Sequence, residues 1–326
     1  MEKIIIIGAG PAGISAALYA ARANMNPLVI NNGIGALEKA EKIENYYGME
    51  HPVSGKELFE TGLAQAKALG VRILEVQVLG IGGFDTFTVK TTAGDFDTIS
   101  VILATGSKRK APAIPGIKEF EGRGVSYCAV CDAFFYRGRD VAVLGNSDFA
   151  LHEAEELAPM AGSVTIYTDG KEPEFSRKSS FAVNTMKIQS VEGDEKVSGL
   201  RLISQSETDA KSDTDGEKNF QLLPEGKEAE MEASELHNPE SPVRDSTETF
   251  VPADGVFVAL GTAGSAEMAR QMGAALTEKG NIKVNEKMES TIPGLFAAGD
   301  CTGGLLQVAK AVYDGAQAGL SANQYV

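Results

Sequence analysis

Two cysteines spaced three apart specify chemistry most directly in this chain. They lie in the run Cys128-Ala129-Val130-Cys131-Asp132. A C-x-x-C closes an intrachain disulfide across a short turn and couples an attacking thiolate to a resolving thiol. The competing use is half of a zinc site. Zinc takes four ligands, and the chain offers only Cys301 and three dispersed histidines, His51, His152 and His237. Dithiol–disulfide exchange is therefore expected, with no metal. Asp132 directly follows the second cysteine, where a carboxylate can pass a proton to a leaving thiolate; capping the turn is its plainer use. Cys301 reads as a small packed side chain.

The second chemical signature is a glycine loop, Gly8-Ala9-Gly10-Pro11-Ala12-Gly13, between an apolar run at 3–7 and a small-residue helix over 12–24. Gly8 permits the tight turn, Gly10 lets the backbone approach a pyrophosphate, and Gly13 allows close helix–strand packing at a helix N-terminus that favours an anion. The acidic ribose ligand usual at the end of the next strand (27–31) is replaced by Asn31, whose amide can still hydrogen-bond a hydroxyl; the alternative is that the 35–38 loop does this work.

A second strand–turn–helix unit starts at Asp140, and its loop, Gly145-Asn146-Ser147-Asp148-Phe149-Ala150, is damaged. Ser147 carries a Cβ where backbone should meet phosphate, and Asp148 puts negative charge there. No arginine pair follows to hold a 2′-phosphate, although Asp169 stands where an acid could bind the 2′-hydroxyl of NADH. The steric block affects both nicotinamides, so binding of NADH or NADPH is disfavoured.

These residues need scaffolding, and the pattern supplies it. A helix is predicted over 55–69, opened by Ser54 as N-cap. Strands are predicted over 71–78, 84–91, 95–104, 140–144, 163–168, 254–260 and 294–298. The βαβ pattern occurs twice, giving an α/β fold of two Rossmann-like, three-layer dinucleotide-binding domains, the second inserted into the first. Residues 1–113 and 250–326 form the split first domain. Residues 114–249 form the insert, which includes an exposed acidic excursion over 205–249 with 13 acidic and 4 basic residues. The 326 residues are 43% hydrophobic, which excludes wholesale disorder, and 36 glycines fit many turns. A net charge of −15 argues against nucleic acid or an anionic membrane as partner. No apolar run is long enough to span a bilayer, and the run at the N-terminus breaks too early for a signal peptide. A cytoplasmic protein is expected, and three cysteines fit a reducing compartment.

Together with Lys42-Ile43-Glu44-Asn45-Tyr46-Tyr47-Gly48, Ala104-Thr105-Gly106, the extension Ala133-Phe134-Phe135-Tyr136 and Gly294-Leu295-Phe296-Ala297-Ala298-Gly299-Asp300, these stretches resemble the low-molecular-weight flavin thioredoxin reductase family. The resemblance covers nearly the whole chain except about 205–249. It implies noncovalent FAD held by Gly8, Gly10, Pro11, Ala12 and Gly13, with Asn31, Asn45, Thr105, Gly106, Gly299, Asp300 and Gln307 also at the cofactor. It implies that Cys131 faces the flavin, Cys128 attacks thioredoxin, Asp132 is the acid/base and the protein is a homodimer. Leu306 replaces an arginine common in the family, and the family's intact second loop is missing. That pattern looks most like the clostridial-type ferredoxin-dependent members, with reduced ferredoxin as donor. An acidic ferredoxin would need a basic patch, for which Lys108, Arg109, Lys110, Arg137 and Arg139 are candidates. Two other readings share the fold: a reductase driven by NADH or NADPH, and an oxygen-dependent dithiol oxidase.

Overall fold

The computed structural model describes residues 1–83, 85–106, 112–204, 248–261 and 264–326. The first unit runs β1 (Glu2–Ile7), α1 (Pro11–Arg22), β2 (Leu28–Asn31), α2 (Gly55–Ala68), β3 (Arg72–Glu75), β4 (Val78–Gly82), β5 (Phe87–Thr91) and β6 (Gly94–Leu103). The second runs β7 (Val125–Ser126), α3 (Ala129–Asp132), β8 (Asp140–Leu144), α4 (Asp148–Leu157), β9 (Ser163–Tyr167), β10 (Ala182–Asn184), β11 (Lys187–Gly193), β12 (Val197–Ile203), β13 (Glu248–Pro252) and β14 (Gly255–Val258). Then follow α5 (Ser265–Gln271), β15 (Leu295–Ala297) and α6 (Val308–Tyr325).

The first sheet has the order β3-β2-β1-β6-β5-β4, with β15 paired to β6. Strand β1 lies between two parallel neighbours, so Ile4, Ile5, Ile6 and Ile7 are all buried. That two-sided burial is why its sequence is a continuous apolar run instead of an alternation. Pro11 opens α1 at a position where its missing N–H costs nothing. Helix α6 packs closely on α1: a Cβ on Gly315 would strike the backbone of Ala12. Ser54 caps α2 as expected, accepting from the Glu57 amide at 3.1 Å.

The second sheet, β10-β9-β8-β14-β7, is parallel throughout. Strands β11, β12 and β13 form an antiparallel layer. The α/β fold with two units built around parallel strands is as expected, with β4 and β5 antiparallel at one edge of the first sheet, but the return point is not. Residue 250 is too early. Strand β13 pairs with β12, and β14 pairs with both β8 and β7, so 248–258 still belong to the second unit. An apolar strand at 255–258 satisfies either sheet equally by pattern, and only pairing decides which. Of the acidic excursion, 205–247 lie outside the described residues, while Glu248 and Thr249 open β13. The strand expected at 71–78 divides into β3 and the start of β4.

Candidate active site and cofactor pocket

Cys128 and Cys131 form a disulfide, with Cα atoms 5.4 Å apart. Cys128 is the N-cap of α3, and its Sγ accepts from the Cys131 amide at 3.2 Å. Two residues missed in the sequence hold this turn. The Cys128 amide donates to Ser126 Oγ at 3.1 Å, and that hydroxyl donates to Asp132 Oδ2 at 2.6 Å. The Ala129 amide donates to Glu153 Oε2 at 2.7 Å, from a glutamate that is 1% exposed on α4. No local signal marks Glu153, because a glutamate in a helix is ordinary until the helix packs against α3. Ser126 sits two residues before Cys128, a spacing at which Ser bonds nearby backbone.

Exposure divides this region. Cys128 is fully buried, whereas Phe134 and Phe135 are 67% and 70% exposed. Arg137 lies over the Phe134 ring at 5.4 Å. Arg139 approaches Asp254 at 3.9 Å. Lys108, Arg109 and Lys110 lie outside the described residues.

A cavity of about 340 Å³ opens at the C-terminal end of the first sheet. Gly8, Gly10, Pro11 and Ala12 line it, as do Asn31, Thr105 and Gly106. Gly299, Asp300 and Gln307 form another part of its wall. Gly8 and Gly13 do the structural work that their spacing implies. Gly8 has φ +107 and abuts Ala104. A Cβ on Gly13 would collide with the Gly8 carbonyl, so Gly13 serves packing and does not line the cavity. A Cβ on Gly10 would meet nothing within 4 Å, which leaves open space where a pyrophosphate would approach. No side chain among the described residues caps α1, which leaves its first backbone amides without a side-chain acceptor. The cradle therefore fits a dinucleotide. Asn45 is not in the lining; its amide donates to Gln307 Oε1 at 3.0 Å. Thr105 reaches the cavity, but its hydroxyl lies 2.6 Å from that of Ser265 and accepts from the Ser265 amide at 3.0 Å. Neither Cys128 nor Cys131 is among the described lining residues.

The second glycine loop is strapped by the chain itself. The Glu174 amide donates to Asn146 O at 2.6 Å, and Asn146 Nδ2 donates to Glu172 O at 3.2 Å. The Ser176 amide donates to Asp148 Oδ1 at 2.8 Å, and Ser147 Oγ donates to Gly261 O at 3.1 Å. Asp169, the expected 2′-hydroxyl ligand, accepts instead from the Ile188 amide at 2.9 Å. Cys301 Sγ sits 3.3 Å from Ala298 O, and burial pushes its thiol up to about 12. Such a thiol is inert at neutral pH, in keeping with a packing role.

A cradle for a dinucleotide in one unit and a C-x-x-C disulfide in another define a flavin-type disulfide oxidoreductase. The chain belongs to the pyridine nucleotide-disulphide oxidoreductase family, whose model matches residues 2–315. It is 33% identical over 331 residues to the thioredoxin reductase of Bacillus subtilis, covering 99% of this chain and 94% of that one. Its structure is similar to the atypical thioredoxin reductase from Desulfovibrio vulgaris Hildenborough, with a TM-score of 0.80, 34% identity and coverage of 100% and 98%. It is also similar to a ferredoxin-flavin thioredoxin reductase from Clostridium acetobutylicum, with a TM-score of 0.64, 31% identity and coverage of 99% and 96%. The protein is thus a flavoprotein disulfide reductase of the thioredoxin reductase group, and its cofactor is FAD. Among the described residues, no helix is long and apolar enough to cross a membrane.

Proposed function

We propose that this protein carries electrons from reduced ferredoxin, by way of FAD, to the Cys128–Cys131 disulfide and on to thioredoxin. The observation that carries the choice of donor is the strap of Glu172, Glu174 and Ser176 across Asn146–Asp148. It engages the backbone and side chains of the loop that corresponds to a dinucleotide-binding turn. The ferredoxin-flavin relative from Clostridium acetobutylicum supports the same donor.

In this reading Gly8, Gly10, Pro11 and Ala12 hold the pyrophosphate, Gly13 lets the helix pack closely behind them, and Asn31, Thr105, Gly106, Gly299, Asp300, Asn45 and Gln307 complete the cofactor site. FAD supplies the electron pair that reduces the disulfide. Cys131 and Cys128 become thiols or thiolates as the S–S bond breaks. Asp132, fixed by Ser126, delivers the proton to the leaving sulfur. The Cys128 thiolate then attacks a thioredoxin sulfur and forms a mixed disulfide. Cys131 attacks Cys128, restores the internal disulfide and releases reduced thioredoxin. Cys128 is fully buried, so its attack on a protein requires α3 to be uncovered. Exposed Phe134 and Phe135 beside it suit a protein substrate. The division into a flavin unit and an inserted redox unit, the homodimeric state and the cytoplasmic location complete the proposal.

The test is an anaerobic titration followed by flavin absorbance. Reduced ferredoxin should bleach the flavin, and thioredoxin should restore it. Rapid bleaching by NADH or NADPH would overturn the ferredoxin assignment. Steady peroxide production with a small dithiol would favour the oxidase instead.

A further inference from the structure

Lys310 breaks a local rule. It is the third residue of α6, in a first turn that contains no acid, and a cation there opposes the positive end of the helix dipole. Its side chain is only 19% exposed. Departures from local preference with visible compensation mark functional positions.

The compensation is specific. All three ammonium donors are used: on Gly299 O at 2.8 Å, on Thr302 Oγ1 at 2.7 Å and on Asp314 Oδ2 at 2.7 Å. Asp314, 4% exposed, accepts from the Gly299 amide at 3.1 Å. The peptides on both sides of Gly299, which stands at φ +82, are therefore held by a charge pair. The next residue is Asp300, in the cavity wall. Lys310 stands behind that wall and does not line the cavity. It also acts on Asp300: burial raises that carboxyl, Lys310 lowers it and Asp314 raises it again. One carboxylate thus lines a pocket that must receive a dianionic pyrophosphate, and a second lies buried behind it on the Gly299 amide.

We propose that Lys310 is a positioning and charge-compensating residue for the dinucleotide, fixing the Gly299–Asp300 turn and offsetting the carboxylates of Asp300 and Asp314. The inference rests on the assignment of this cavity to FAD. It separates Lys310 from a purely structural counter-ion by sign. A structural pair suffers when either partner is removed. A compensating cation is needed for the ligand, whereas its acidic neighbour is not.

The experiment is FAD titration of the flavin-stripped full chain, read by fluorescence quenching. Lys310→Gln should weaken binding by more than about fivefold. Lys310→Arg, which keeps the charge, should restore most of it. Asp314→Asn, which keeps an acceptor for the Gly299 amide, should bind FAD as well as wild type or better. Loss below fivefold in Lys310→Gln, or weakening in both Lys310→Gln and Asp314→Asn, would overturn the proposal. Lys310→Met carries the same expectation if the glutamine variant does not fold. A wild-type chain that takes up no FAD overturns the underlying cofactor assignment, and this is seen before any variant is compared.

Discussion

The side-chain amide of Asn45 donates to the side-chain carbonyl of Gln307 at 3.0 Å, joining two loops 262 residues apart in the chain. Gln307 lines the cofactor cavity and is the N-cap of α6, while Asn45 lies outside the described lining. Asn45 therefore reaches the cavity by orienting Gln307. A neutral hydrogen bond of this kind contributes about 1 kcal/mol. Asn45→Ala should weaken FAD binding about fivefold at most. Equilibrium titration of the stripped protein checks this, and an unchanged affinity would leave the pair a surface contact.

Cys128→Ser and Cys131→Ser should each abolish thioredoxin reduction while FAD stays bound, because neither cysteine is among the described residues that line the cavity. Retained turnover in either variant would sink the dithiol assignment. Ser126→Ala removes the 2.6 Å hydrogen bond to Asp132. It should slow turnover up to about tenfold, since such a hydrogen bond contributes about 0.5–1.5 kcal/mol. Asp132→Asn should slow it more. If Ser126→Ala equals wild type, Asp132 does not depend on that tether.

Gly8 and Gly10 should separate folding from binding. Gly8 needs φ +107 and has no room for a Cβ, so Gly8→Ala should lower thermal stability. Gly10 has open space beside it, so Gly10→Val should leave the apo-protein melting temperature nearly unchanged and weaken FAD binding. Calorimetry and FAD titration on both variants check the contrast. Equal losses of stability would refute it.

Ser147→Gly should not confer rapid flavin reduction by NADPH. The strap at 172–176 remains attached through the Asn146 carbonyl, the Asn146 amide and the Asp148 carboxylate. Stopped-flow mixing with NADPH decides the matter. Fast bleaching in this single variant would show that the serine, and not the strap, closes the loop.

Burial depresses the pKa of His152 against the pull of Glu156, whose carboxylate lies 3.7 Å away. Lys90 also disfavours its proton. The unfolded histidine titrates near about 6.5. Below that pH the unfolded chain binds a proton that the native chain refuses, so this group's contribution to stability falls as pH falls toward the folded value. Urea midpoints should therefore drop less between pH 7.5 and pH 5 in His152→Gln than in wild type. An identical drop would assign the acid sensitivity to other groups.

Much of the site was legible because it depends on short spacing. The Gly8 turn, the Gly13 packing contact, the Cys128–Cys131 disulfide and the Ser54 cap all lie within a few residues, where covalent geometry restricts the outcome. Ser147 and Asp148 likewise marked the second loop as damaged before its strap was visible. The strap itself was not legible. Glu172–Ser176 meet Asn146–Asp148 only after β9 has laid one loop beside the other, and backbone groups make most of those bonds. The same holds for Glu153 under α3, for Lys310 and Asp314 around Gly299, and for the membership of β14. Neighbouring residues settle which local turns form and what chemistry the dithiol and first glycine loop can perform. Which distant carboxylates, amides and strands meet them is set by packing, because hydrogen bonding between remote segments depends on how the sheets and helices lie against one another.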